Sequence, residues 1–233
     1  MLATTILALE TALASSVTIT IDVLAMANHV CRAEGRPPAF DVRLTGPGAH
    51  LFRPFLAFPE ARHEAAELFV IPAQGFSKAD DYVERLARPD VVAAQGIVAE
   101  AIEGGAQVAS SCTGTLLLAG TGALDNRRAT TAWWLAPTVQ ELFPAVLLDT
   151  TELVTTDGPF TTAGAAMAQM DLMVGLVARH AGAEIAEGCA RRMLLDERRS
   201  QIPIWRSACS PPPAKASNAP LPGQGRAWVK VSG

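Results

Sequence analysis

Residues 107–120 read as a short apolar strand, one cysteine between small residues, and an apolar helix, with Cys112 at the junction. Small neighbours let the backbone turn sharply from strand to helix, as in a nucleophile elbow. The first N–H groups of that helix would face the sulfur and stabilise a thiolate. Cys112 is therefore a candidate nucleophile. The alternative is a small buried hydrophobe at the end of a core strand.

The elements around this stretch alternate between strand and helix, which predicts an α/β fold with a doubly wound, mostly parallel sheet and helices on both faces, as in flavodoxin-like proteins. Apolar runs predict strands, and apolar positions at helical spacing predict helices. Ser15 or Ser16 is expected to cap the first helix. The predicted strands are Leu2–Leu9, Phe40–Leu44, Glu67–Pro72, a strand at 146–148 and a hairpin at 152–163; the predicted long helices are Pro89–Glu103, Gly164–His180 and Ala183–Leu195.

Composition narrows the class of protein. Of the 233 residues, 49% are apolar and 18% are charged, with a net charge of −4. Because no basic run stands out, direct nucleic-acid binding by this chain is not expected. The four cysteines lack metal-site or disulfide spacing, so we expect a reducing cytoplasm and no metal. The apolar run Leu2–Leu9 is too short to span a membrane.

The chain divides into a predicted domain over 1–205 and a tail over 206–233. The tail opens with Arg206-Ser207-Ala208-Cys209-Ser210, which leads into three prolines, and its mixture of Pro, Gly, Ala and Ser lacks a core pattern. We expect this tail to be disordered, with no assigned role for Cys209.

Three passages together carry a resemblance to a known family. They are Ser111–Gly114 with the run ending at Leu124, then Arg128–Trp133, and finally Ala190–Gln201. With these passages, residues 2–205 resemble the DJ-1/PfpI superfamily, and within it the amidotransferase-like N-terminal domain of GlxA-type AraC-family transcriptional regulators. The resemblance implies a small-molecule pocket above the cysteine, a homodimer and no cofactor.

The chain departs from the catalytic members of that superfamily at two positions. Those members pair the cysteine with a histidine just before the tryptophan, where this chain has Ala132, and they place an acid early in the first helix, at Ser16 here. None of the four histidines lies in the expected sequence context. An oxyanion pocket could still use the backbone N–H groups near Ala73–Gly75 and Thr113. The predicted pocket residues are Ser16, Ala73, Gln74, Gly75, Ser111, Cys112, Thr113, Ala132 and Trp133.

The leading hypothesis is a non-catalytic, ligand-sensing domain, because thiol chemistry of this kind needs a base to take the proton and an acid to return it. The helix-turn-helix part of the resembling regulators is not evident after Trp205, so DNA would be reached only through a partner. One alternative is a cysteine-dependent enzyme, such as an isocyanide hydratase-like or glyoxalase-like lyase or an amidase. A further alternative is redox or electrophile sensing by a thiolate at Cys112.

Overall fold

A mostly parallel sheet of six strands forms the centre of the computed structural model, which describes residues 1–52, 66–75 and 82–195. The strand order is β2-β1-β3-β4-β8-β7, and only the β7–β8 pair is antiparallel. A separate short pair joins β5 and β6. The strands are β1 (Leu2–Leu7), β2 (Phe40–Thr45), β3 (Leu68–Ile71), β4 (Gln107–Ser111), β5 (Arg128–Ala129), β6 (Leu147–Leu148), β7 (Val154–Asp157) and β8 (Phe160–Ala163).

Helices cover both faces of this sheet, so the predicted doubly wound α/β class is confirmed. Alternate strand residues point to opposite faces. Thus Ile6 packs with α1, α7 and α8, whereas Leu7 packs with α4 and α5. The helices are α1 (Ala14–Ala33), α2 (Ala49–Phe52), α3 (Tyr82–Leu86), α4 (Pro89–Glu103), α5 (Gly114–Ala119), α6 (Ala136–Leu142), α7 (Ala168–Ala181) and α8 (Ala183–Met193).

The prediction of α4 is confirmed at both ends, but the predicted cap of α1 is wrong. Proline occupies the start of α4, where its missing N–H costs nothing. Helix α1 begins after Leu13 with no side-chain cap. The Ser16 hydroxyl instead accepts a hydrogen bond from the backbone N–H of Ala73, across 3.0 Å. A tertiary contact therefore uses the side chain that the local pattern assigned to capping.

Helix α1 has the length and apolar content that would allow it to cross a membrane. Half of its apolar window is buried inside the fold, however, and Val17, Leu24 and Val30 belong to the core. This burial is typical of the core helix of a globular domain. A cytoplasmic location stays a prediction.

The sheet places the ends of its parallel strands at two opposite edges. The carboxyl edge carries Cys112, which follows β4, and the amino edge carries the starts of β1, β2 and β3. The predicted domain end near 205 and the tail over 206–233, including Cys209, lie outside the described residues.

Candidate functional site

Cys112 occupies a sharp turn between β4 and α5, as the sequence predicts. Its φ is +51°, a left-handed conformation that is uncommon for any residue other than glycine. Two hydrogen bonds hold the turn: the Cys112 N–H donates to the Ala163 carbonyl (2.9 Å), and the Thr131 hydroxyl donates to the Cys112 carbonyl (2.7 Å). The backbone strain is therefore supported by β8 and by the segment after β5.

Gly114 follows the turn, and it must be glycine because two backbone segments approach each other closely there. A Cβ on Gly114 would lie 2.6 Å from the carbonyl oxygens of both Ile71 and Pro72. Only glycine allows α5 to begin so near the end of β3. This packing brings the residues that follow β3 beside the cysteine.

The sulfur lies in an apolar environment. Cys112 is only 4% exposed. It belongs to a cluster of buried residues whose other members are Ala73, Tyr82, Leu116, Ala132, Leu135 and Val139. Ala132, at the family's histidine position, is thus in the same cluster as the thiol, and it is fully buried. This cluster contains three of the predicted pocket residues, Ala73, Cys112 and Ala132, and a fourth, Thr113, lies against the sulfur.

The expected stabilisation of a thiolate is wrong in direction. Burial raises the pKa of the Cys112 thiol, because a low-dielectric environment disfavours the charged form. The backbone N–H groups of Thr113 and Ala166 and the Thr113 hydroxyl lower this pKa, but their effect is smaller than that of burial.

No charged side chain among the described residues contributes to the pKa of this thiol. His29 and His50 are exposed, and the His50 ring is hydrogen-bonded to the Pro47 carbonyl. His180 lies in the last turn of α7, and His63 lies outside the described residues. The described site therefore holds neither an imidazole nor a carboxylate that could exchange a proton with the sulfur.

The expected oxyanion donors at residues 73–75 are already engaged. The Ala73 N–H donates to Ser16 Oγ, and the Gly75 N–H donates to the Thr11 carbonyl. The Gln74 N–H donates to Thr113 Oγ1 across 2.6 Å, and the same hydroxyl donates back to the Gln74 carbonyl across 2.7 Å. The prediction that these three N–H groups would bind an oxyanion is therefore wrong for this conformation, because side chains and a neighbouring loop occupy them. The Thr113 N–H, by contrast, faces the sulfur.

The remaining predicted pocket residues differ in their surroundings. Ser111 is fully buried, and its hydroxyl has no hydrogen-bond partner among the described residues. The Gln74 side chain donates to the Pro72 carbonyl, while its Oε1 is buried without a partner in the described part of the chain. Trp133 is half-buried and contacts the exposed Trp134 edge to face, with ring centroids 5.6 Å apart.

Sequence reasoning missed three residues around the cysteine. Thr131 holds the Cys112 carbonyl, Ala166 directs its N–H toward the sulfur, and Tyr82 lies in the same buried cluster. Ala166 acts through its backbone N–H, so its residue type could not indicate this role. Thr131 lies inside one of the passages that carry the resemblance, and that position could have indicated its role.

Comparison with known sequences gives a limited match. No family model matches the chain. The HTH-type transcriptional regulator CdhR of Pseudomonas aeruginosa is 37% identical over 83 residues, which are 36% of this chain and 24% of that regulator. The match thus spans about a quarter of the regulator's length.

Comparison with solved structures shows the fold. An AraC family transcriptional regulator from Pseudomonas putida matches with a TM-score of 0.61 at 20% identity, covering 83% of this chain and 100% of that one. DJ-1beta of Drosophila melanogaster matches with a TM-score of 0.59 at 14% identity, covering 84% and 99%. DJ-1 of Toxoplasma gondii matches with a TM-score of 0.60 at 16% identity, covering 84% and 100%. The chain has the DJ-1/PfpI-type fold, which the Pseudomonas putida regulator shares. The predicted resemblance is therefore confirmed.

Proposed function

We propose that this chain is a ligand-sensing, non-catalytic DJ-1/PfpI-like domain of a transcriptional regulator. The observation that carries the proposal is the apolar setting of the Cys112 sulfur, with Ala132 at the position of the family's histidine. The similarity to CdhR and to the AraC family structure supports a regulatory rather than a metabolic role. A ligand above the cysteine would be bound without being turned over.

The chemistry of the site supports binding without turnover. A raised pKa keeps Cys112 as a thiol at neutral pH, and a thiol is a far weaker nucleophile than a thiolate. Loss of a positioned general base removes a factor of about 10²–10⁴ in rate. The strand-to-helix geometry at Cys112 does not replace that base.

Turnover assays test the absence of catalysis. The purified chain and its Cys112→Ser variant would be incubated with an isocyanide, a 2-oxoaldehyde and a simple primary amide. We expect the two proteins to give the same background rate with all three. A rate above background that disappears in Cys112→Ser would contradict the proposal.

Native mass spectrometry tests ligand binding. We expect a small molecule to co-purify with the protein and to be lost on mild denaturation. Trp133→Ala should reduce its occupancy, because Trp133 is a predicted pocket residue, whereas the exposed Trp134→Ala should retain it. Each variant also loses the contact between the two rings, so that loss cannot account for a difference between them. Equal occupancy in both variants would place the ligand elsewhere.

A cysteine-dependent enzyme is the second candidate function, and the conformation at Cys112 favours it. The residue keeps the strained φ of +51°, and two backbone N–H groups face its sulfur. These features would serve a nucleophile if a ligand supplied or recruited a base. Catalysis by the isocyanide hydratase, glyoxalase or amidase type would then depend on Cys112.

The proposed partners are a small molecule and a second copy of the chain. Sedimentation equilibrium should give the mass of a dimer at micromolar concentration. We also propose that the described domain does not itself contact DNA, in keeping with the net charge of −4. Gel-shift titration should show no sequence-specific binding by this chain alone, and a tight, specific shift would overturn that part of the proposal.

A further inference from the structure

A buried polar bridge joins α1 and α7 near their amino ends. Its members are Ser16 and Thr20 on α1 and Gln169 on α7, and all three are fully buried. Gln169 Nε2 donates to Thr20 Oγ1 across 2.8 Å, and the Thr20 hydroxyl donates to the Ser16 carbonyl across 2.9 Å. The residues that surround the bridge on both helices belong to the apolar core. Polar contacts therefore link the two helices inside an otherwise apolar interface.

The α1 end of the bridge is connected to the Cys112 turn through the residues that follow β3. Ser16 Oγ accepts a hydrogen bond from the Ala73 N–H across 3.0 Å. The next residue, Gln74, is bonded through both its N–H and its carbonyl to the Thr113 hydroxyl, at 2.6 and 2.7 Å. Thr113 directly follows Cys112 in the chain. Hydrogen bonds of ordinary length thus lead from the cysteine turn to α1.

The α7 end of the bridge is connected to the same turn through the segment between β8 and α7. The Cys112 N–H donates to the Ala163 carbonyl across 2.9 Å. Three residues later, Ala166 packs against the buried cluster that contains Cys112. The Gln169 N–H then donates to the Ala166 carbonyl across 3.2 Å, at the start of α7. Both sides of the cysteine turn therefore lead to one buried bridge.

Gln169 is only partly satisfied in this position. Its Oε1 is buried and has no hydrogen-bond partner among the described residues. An unsatisfied polar atom lowers the stability of a core, and a methionine of similar volume would pack there without that cost. Apolar packing alone therefore does not account for a glutamine here. A second placement of α7 that gives Oε1 a donor would compensate for a lost bond to Thr20, so two arrangements can be close in free energy.

We propose that the bridge between Thr20 and Gln169 makes the contact of α1 with α7 depend on what occupies the Cys112 site. This inference rests on the proposed function, in which a ligand reaches the cysteine. An occupant that displaces Ala166 moves the first turn of α7, and Gln169 transfers that displacement to α1. Because coupling between two sites is reciprocal, the packing of α7 on α1 also changes the affinity of the site.

Hydrogen exchange after alkylation of Cys112 tests the proposal without the natural ligand. The full chain would be treated with iodoacetamide at alkaline pH until the Cys112 peptide is fully carbamidomethylated, and the added group would stand in for an occupant. Exchange of the backbone amides of residues 20–24 in α1 would then be followed by mass spectrometry. We expect labelling to accelerate this exchange at least about fivefold, the lower end of typical coupling factors. Each variant would be compared with its own unlabelled form.

Variants of Thr20 determine whether the bridge carries the response. Thr20→Val removes the acceptor of Gln169 Nε2 but leaves the bond between Ser16 and Ala73, and it should abolish the acceleration. Thr20→Ser keeps the hydroxyl and should retain the acceleration. Thr18→Val removes the same kind of side-chain bond from the exposed face of α1 and should also retain it. A response carried through Ser16 and Ala73 would instead persist in Thr20→Val.

Two variants of Cys112 identify the source of the response. Cys112→Ser, treated with iodoacetamide in the same way, carries adducts only on the other cysteines and should show no acceleration. Cys112→Met lengthens the side chain at the same turn and should accelerate exchange without any reagent. The proposal would be overturned by an equal acceleration in Cys112→Ser, by an equal acceleration in Thr20→Val, or by no acceleration in either the labelled chain or Cys112→Met. Ligand binding is measured separately by native mass spectrometry, so its failure is distinguishable from failure of the bridge.

Discussion

The two edges of the sheet differ in the kind of groups they present. At the carboxyl edge, Cys112 lies among apolar side chains, and the N–H groups of Ala73 and Gln74 are bound by hydroxyls. At the amino edge, Glu67, Arg36 and His180 line an open groove. Among the described residues, no charged side chain contributes to the pKa of Cys112, whereas Glu67 and Arg36 line the groove at the amino edge.

This difference bears on the proposal that the turn at Cys112 binds a ligand without catalysis. The turn at Cys112 is maintained by backbone contacts, which do not depend on a histidine or an acid. Once Ala132 and Ser16 occupy those positions, apolar packing and hydroxyl bonds stabilise the same backbone. The following predictions test that distinction, from the largest expected effect to the smallest.

Gly114→Ala should destabilise the protein more than any other substitution considered. The added Cβ would lie 2.6 Å from two carbonyl oxygens, and both belong to backbone that cannot move without disturbing β3. We expect the free energy of unfolding to fall by about 3 kcal/mol in denaturant titration. The matched variant is Gly96→Ala in α4, where a Cβ meets nothing within 4 Å. It should gain about 0.5–1 kcal/mol, and equal effects in the two variants would refute the close approach.

Thr113→Val should remove the link between the cysteine turn and Gln74. The substitution keeps the shape of the side chain but leaves the Gln74 N–H without its acceptor. We expect a loss of about 1–3 kcal/mol in unfolding free energy. Thr18→Val makes the same change on the exposed face of α1 and should cost less than about 0.5 kcal/mol. Comparable losses would mean that the hydroxyl of Thr113 contributes little to the site.

The pH dependence of Cys112 labelling tests whether the pKa of this thiol is raised. Because burial raises its pKa, the thiolate fraction at pH 7.5 should be below that of a free cysteine. Iodoacetamide labelling, read at the Cys112 peptide by mass spectrometry, should be several-fold slower than labelling of a free cysteine, and its midpoint should lie at higher pH. Faster labelling than that of free cysteine at neutral pH would show a thiolate and reopen the enzyme hypothesis.

Ala132→His tests whether an imidazole beside Cys112 changes the reactivity of its thiol. We expect the variant to label faster than the wild type at neutral pH, because an imidazolium near the sulfur stabilises the thiolate. Thermal unfolding would check that the larger side chain is accommodated. An unchanged rate in a folded variant would mean that burial alone controls the thiol.

Cys189 tests the core through the pH dependence of stability, because its thiol is buried in the cluster formed with α1, α7 and α8. Burial raises the pKa of its thiol to about 11, and Cys31 nearby acts in the same direction. The unfolded state therefore loses the proton first, so stability is fully present below the ordinary pKa of 9.0 and is lost as pH rises toward 11. Cys189→Ala should flatten this part of the stability curve, measured by denaturant titration at each pH. An unchanged slope would assign the loss to other groups.

Much of the fold could be predicted because its signals are local. The helix Pro89–Glu103 has a proline start and a regular apolar face, and the turn at Cys112 has small neighbours on both sides. The errors arise where distant segments meet. Ser16 carries the local signature of a cap, yet it bonds to Ala73, 57 residues away in the chain. Nothing in either segment alone indicates that contact.

The sequence by itself determined the order of strands and helices, the position of the cysteine turn and the presence of an alanine at position 132. Periodicity and small residues suffice for these features, because they depend on neighbours along the chain. Only the tertiary structure decided the direction in which the pKa of the thiol is shifted, which partners the N–H groups at 73–75 bond, and that Glu67 and His180 line one groove. Those properties depend on burial and on partners brought together across the sheet, so only the assembled fold determines them.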